Sequence, residues 1–98
     1  MPCCEAALVG AYYTARDDEK RRETFLAQLP FFYGNGASHA LQEFLSAHVT
    51  VIAEWCAKVS AKPFMYRAVL CVAEIRKSEH AINTYMLSMQ TIATATPK

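Results

Sequence analysis

The sequence predicts an all-α fold: a three- or four-helix up-down bundle with one long C-terminal helix. Three observations carry this. Apolar residues recur at three- and four-residue steps over most of the chain, the period of a helix with one buried face. No stretch alternates for long with β-branched residues, so nothing reads as strand. The 98 residues are enough for one small domain, spanning 1–98, and its short connections suit antiparallel neighbours.

In the first third, Leu8, Tyr12 and Ala15 form one apolar stripe and Phe25, Leu26 and Leu29 another. Between them Arg16 to Glu23 is an unbroken block of eight charges, four of each sign. Asp17 with Arg21 and Asp18 with Arg22 are spaced for i,i+4 pairs on a solvated helix face. Thr14 with Asp17 competes as a capping box, although that box prefers Glu or Gln at its last position. Either one helix runs from about residue 4 to 29, or two short ones meet near Thr14. Pro30 is expected to end this region, because the residue before a proline avoids helical geometry.

Residues 30–37, PFFYGNGA, form the one substantial predicted loop. Its glycines are expected to serve a turn with positive φ. Ser38 then makes a good N-cap. From Ser38 to Val59 the series Leu41, Phe44, Leu45, His48, Ile52, Trp55, Cys56, Val59 marks one face of an amphipathic helix, with Glu43, Ala47, Thr50, Glu54, Ala57 and Lys58 opposite. Pro63 suits the first turn of the next helix. There the seam runs Met65, Ala68, Val72, Ile75, Glu79, Ile82, Met86, Met89, Ala93, alternating threes and fours. No Gly or Pro interrupts 64–96. A rod of about 30 residues would be roughly 45 Å long, more than a small monomer readily covers, so a homodimer or a hetero-complex is expected.

Composition narrows the function. Hydrophobic residues make up 53% and charged ones 19%; the latter lies below the roughly 25% usual in soluble domains, which leaves apolar surface for a partner. A formal net charge of +1 gives no electrostatic footprint for nucleic acid. No basic start followed by an apolar stretch reads as a secretory signal. The longest stretch free of charge and His, Ala81 to Pro97, is too polar to span a membrane. The expectation is a cytoplasmic protein with reduced cysteines.

Chemistry-bearing residues are present without the spacing that chemistry needs. Cys3, Cys4, Cys56 and Cys71 contain no pair two to four residues apart, so no structural zinc site is expected. No Glu-x-x-His occurs, as helical di-iron sites require. Gly34-Asn35-Gly36 before Ser38 has the position of a phosphate loop but lacks a nearby lysine. No catalytic residue, metal or cofactor is therefore assigned. His48 and Glu79 are polar seam residues that the hairpin brings near register, a candidate buried pair. Phe31, Phe32 and Tyr33 cannot all face one core and are candidate contact residues, with Met65, Met86 and Met89 on the seam.

These features point to a non-enzymatic helical protein acting through protein–protein contact. It would be an adaptor, an assembly factor or an inhibitor of a larger machine, of a size that phage and plasmid products often have. The second reading is a helical-bundle binder of a small apolar ligand or metal ion, using Met65, Met86, Met89, Cys71 and His48.

Overall fold

A computed structural model describes residues 2–34 and 36–78. Five helices occur among them: α1 (Cys3–Asp17), α2 (Arg22–Tyr33), α3 (His39–Ala47), α4 (Val49–Val59) and α5 (residues 66–78). Short 3-10 turns at Glu19–Arg21 and Pro63–Met65 lead into α2 and α5. Helix takes 87% of the described residues and no strand occurs among them. The chain is all-α. The predicted continuation to residue 96, with Glu79, Ile82, Met86, Met89 and Ala93, lies outside the described residues.

The first third is two helices, and they part at Asp18 rather than near Thr14. The Thr14 hydroxyl donates to the Gly10 carbonyl, 3.0 Å away, so it stays inside α1 instead of capping a new helix. Asp18 is extended (φ −134°, ψ 106°) and its side chain accepts from the Lys20 N–H at 3.1 Å. The charged block favours the corner because both arms leave it with polar faces outward. Neither i,i+4 pair is made. Instead Arg21 meets Asp18 at 3.4 Å and Arg16 meets Asp17 at 3.7 Å. Arg22 turns back to α1, donating from Nε to the Ala15 carbonyl (3.0 Å) and from Nη2 to the Arg16 carbonyl (3.1 Å). Carbonyls at a helix C-terminus lack partners within the helix, and this guanidinium supplies two.

Pro30 does not stop α2, which continues to Tyr33. A proline this late forfeits one backbone bond in the last turn. Against that loss stand the buried Leu29 and Pro30 and the half-buried Phe32 and Tyr33. The expected loop accordingly loses residues 30–33 to α2. Among the described residues only Gly36 takes positive φ, at +81°; Gly34 is right-handed helical. At Gly34 glycine answers a different need, since a Cβ there would stand 2.9 Å from the Pro30 carbonyl oxygen.

Ser38 caps α3 as predicted, its hydroxyl accepting from the Leu41 N–H at 3.2 Å. The same serine also ties α3 to α1. Its N–H donates to Glu5 Oε2 at 3.0 Å and its hydroxyl donates to Glu5 Oε1. Glu5 is buried on the stripe of Leu8, Tyr12 and Ala15. The hydroxyl, and then the backbone N–H, hold its pKa below the ordinary glutamate range. A carboxyl with a depressed native pKa stabilises the fold fully above the unfolded-chain value of about 4.3 and loses that contribution as pH falls through the native one. Glu5→Gln is therefore expected to lower the urea midpoint at pH 7 and to weaken its decline below about pH 4.3. Urea titrations from pH 3 to 7 check this; parallel wild-type and variant curves would contradict it.

The predicted single helix from Ser38 to Val59 bends at His48 (φ −113°, ψ 13°), giving α3 and α4. There the His48 N–H is shared between the carbonyls of Phe44 (3.2 Å) and Leu45 (3.3 Å). The buried face survives the bend: Leu41, Leu45, Ile52, Trp55 and Cys56 are buried, and the six residues named for the opposite face are exposed. On α5 the seam Met65, Ala68, Val72, Ile75 is buried throughout. Tyr12 stands at the centre of the packing. Its ring lies 4.8 Å from His48, 5.3 Å from Phe44, 5.4 Å from Trp55 and 5.8 Å from Phe25.

Candidate interaction surface

The seam of α5 is satisfied by the core, but the first turns of the helix and the 3-10 turn before it also expose large apolar residues. Phe64 is 65% exposed, Tyr66 66% and Leu70 49%, where a solvated helix face would carry polar residues. Arg67 lies among them, one helical turn from Phe64 and from Leu70. Its guanidinium sits over the ring of Phe31 at 5.9 Å, and Phe31 is itself 63% exposed. This joins the C-terminal end of α2 to the outer face of α5. At the near edge Lys62 Nζ lies 5.9 Å from the Phe64 ring and is held by both carboxylate oxygens of Glu23, at 3.1 and 2.9 Å.

The residues singled out in the sequence divide. Phe31 joins this surface, whereas Phe32 and Tyr33 are half-buried against the core. Phe32→Ala is accordingly expected to lower stability by more than 1 kcal/mol, by cavity formation, while Phe31→Ala stays within about 0.5 kcal/mol. Equal losses in chemical denaturation would contradict this division. Met65 is fully buried in the core and offers no contact surface. Met86, Met89 and Glu79 lie outside the described residues, so the His48–Glu79 pair does too. His48 itself is half-buried, stacked on Tyr12 with the planes 13° apart and edge-on to Phe44 at 4.5 Å. Burial first, and then the charge of Arg16, lowers its pKa, which favours a neutral ring at neutral pH.

Phe64, Tyr66, Arg67 and Leu70 were not singled out by periodicity. Their signal is still in the sequence: large apolar residues between the seam positions of one helix, where a helix with a single buried face places polar ones.

The remaining chemistry-bearing groups are dispersed. Cys3 and Cys4 are exposed, Cys56 is buried, and Cys71 is half-buried, all four as free thiols. Burial pushes both the Cys56 and the Cys71 thiol up, so neither is poised as a thiolate nucleophile. Among the described residues no three His, Cys, Asp or Glu side chains come together as a metal site would require. An open groove of about 230 Å³ between α4 and α5 is lined mainly by Ala53, Cys56, Ala57, Val69 and Val72. No helix among the described residues is long and apolar enough to cross a membrane. No family model, curated protein or solved structure matches the chain.

Proposed function

We propose that this protein is a small non-enzymatic helical module that acts by binding another protein, as an adaptor, an assembly factor or an inhibitor of a larger machine. The observation that carries the reading is the outer face of α5. Phe64 in the preceding turn and Tyr66 and Leu70 on α5 remain about half to two-thirds exposed, although the fold already buries Met65, Ala68, Val72 and Ile75 of the same segment. The largest exposed apolar patch on a small domain, a few hundred Å² across, is often a functional contact site. The up-down bundle with an extended C-terminal helix belongs to the same proposal, as does assembly into a homodimer or hetero-complex. A cytoplasmic setting fits the four free cysteines.

The non-enzymatic part rests on where the reactive groups sit. His48, Cys56 and Cys71 occupy packing positions, and the thiols are held protonated by burial. The ligand- or metal-binding alternative gains no support from Met65, which is consumed by the core.

Site-specific photo-crosslinking in the native host tests the reading. A photoreactive residue at position 64 or 70 is expected to capture one discrete protein, while the same residue at 50 or 57, on the exposed face of α4, captures none. Equal or absent capture at both faces would count against the proposal.

A further inference from the structure

The structure points to the chemistry of that partner, and the inference rests on the protein-binding reading above. We propose that the α5 face docks an amphipathic segment of another protein that carries an acidic residue beside two or three large apolar ones. The argument turns on Arg67. It stands among Phe64, Tyr66 and Leu70, and among the described residues no carboxylate pairs with it. Nearby acids are engaged elsewhere: Glu23 holds Lys62, and Glu74 lies 3.4 Å from Lys77.

Any partner that covers the apolar residues must also cover this guanidinium. Removing an unpaired charge from water costs several kcal/mol, enough to cancel the gain from the apolar contact. A carboxylate delivered by the partner removes that cost and adds a bidentate contact. The aromatic neighbours sharpen the selection, because Arg67 already lies 5.9 Å from the centre of the Phe31 ring, which keeps the charge beside the apolar residues.

Size and symmetry decide which partner fits. Three aromatics about two-thirds exposed and a half-exposed leucine present on the order of 400 Å² of apolar surface, taking about 150–250 Å² for a whole aromatic side chain. A stable interface between globular partners buries about 800 Å² on each side, so the face is suited to a single helix or strand segment. A second copy using the same face would set Arg67 close to its own symmetry mate, and like charges across an interface are costly. An amphipathic helix packed against this face, with apolar anchors at i, i+3 or i+4 and a flanking acid, meets both requirements.

A displayed library of random 16-residue peptides, selected against the full chain, tests this. The proposal expects enriched peptides to combine Leu, Phe or Ile at helical spacing with Asp or Glu, and to lose at least tenfold in affinity against Arg67→Glu. Selection against Arg67→Glu should shift enrichment toward Lys and Arg, and Leu70→Ser should weaken both sets. Circular dichroism confirms that each variant is folded; Arg67→Lys, which keeps the charge but not the bidentate fork, should bind more weakly than wild type and more tightly than Arg67→Glu. Binders enriched in basic residues, or indifferent to Arg67→Glu and Leu70→Ser, would overturn the acidic-partner proposal while leaving protein binding standing. A library that enriches nothing would overturn both, as would binding to anionic phosphatidylserine vesicles in place of any peptide.

Discussion

Tyr12→Ala is expected to cost about 3–5 kcal/mol in urea denaturation, the range for removing a large aromatic from a packed core. Domains of this size are held by roughly 5–15 kcal/mol in total, so the variant would sit near the unfolding threshold. The size of the effect follows from position. Tyr12 is 2% exposed, and its ring touches side chains from α2, α3, the bend at His48 and α4. One truncation therefore loosens α1 from three other helices at once. Tyr12→Phe keeps the ring and should change stability by less than about 1 kcal/mol. A loss in Tyr12→Phe as large as in Tyr12→Ala would show that the hydroxyl, not the ring packing, matters.

Arg22→Ala is expected to cost about 2 kcal/mol, drawn from charged hydrogen bonds of about 1.5–3 kcal/mol offset by the solvent access of the site. Arg22 joins three elements. It donates to the Ala15 and Arg16 carbonyls at the end of α1 while its guanidinium lies over the Trp55 ring of α4 at 5.0 Å. A planar fork can do both, and an ammonium cannot. Arg22→Lys should thus recover less than half of the loss. Full recovery by lysine in thermal or chemical denaturation would reduce the residue to a point charge near a helix C-terminus.

Both predictions concern contacts that join elements, and such contacts are where the sequence was least legible. Periodicity identified the buried faces well. Leu8, Tyr12, Ala15, Leu41, Leu45, Ile52, Trp55, Met65, Ala68, Val72 and Ile75 are all buried, because a one-sided helix has to place its apolar residues on one stripe. Helix ends were harder. The bend at His48 leaves the stripe unbroken, so the pattern runs through it without a signal. Local rules also misplaced the corner after α1 and the end of α2. Thr14 has a competing acceptor in the Gly10 carbonyl, and packing of Leu29, Pro30, Phe32 and Tyr33 outweighs one lost backbone bond.

The Glu5–Ser38 clasp was invisible for a related reason. Its partners are separated by 33 residues, and a lone glutamate on an apolar stripe does not reveal its donor. The interaction surface was half legible. Phe31, Phe32 and Tyr33 together exceed the aromatics one core takes, which does not tell Phe31 from its neighbours, whereas Phe64, Tyr66 and Leu70 flank the α5 seam without interrupting its spacing. The seam and the flanks do different work. Met65 and its seam neighbours hold the fold, and the residues between them remain for contact.

That separation is the central claim, and a Phe64→Ser, Tyr66→Ser, Leu70→Ser triple variant tests it when its unfolding free energy and its partner capture are measured on the same preparation. The account predicts a free energy within about 1 kcal/mol of wild type, as exposed substitutions usually give, together with loss of photo-capture from a probe at the exposed position 73, one turn beyond Leu70. A variant that unfolds, or one that stays folded and captures its partner as before, would contradict it.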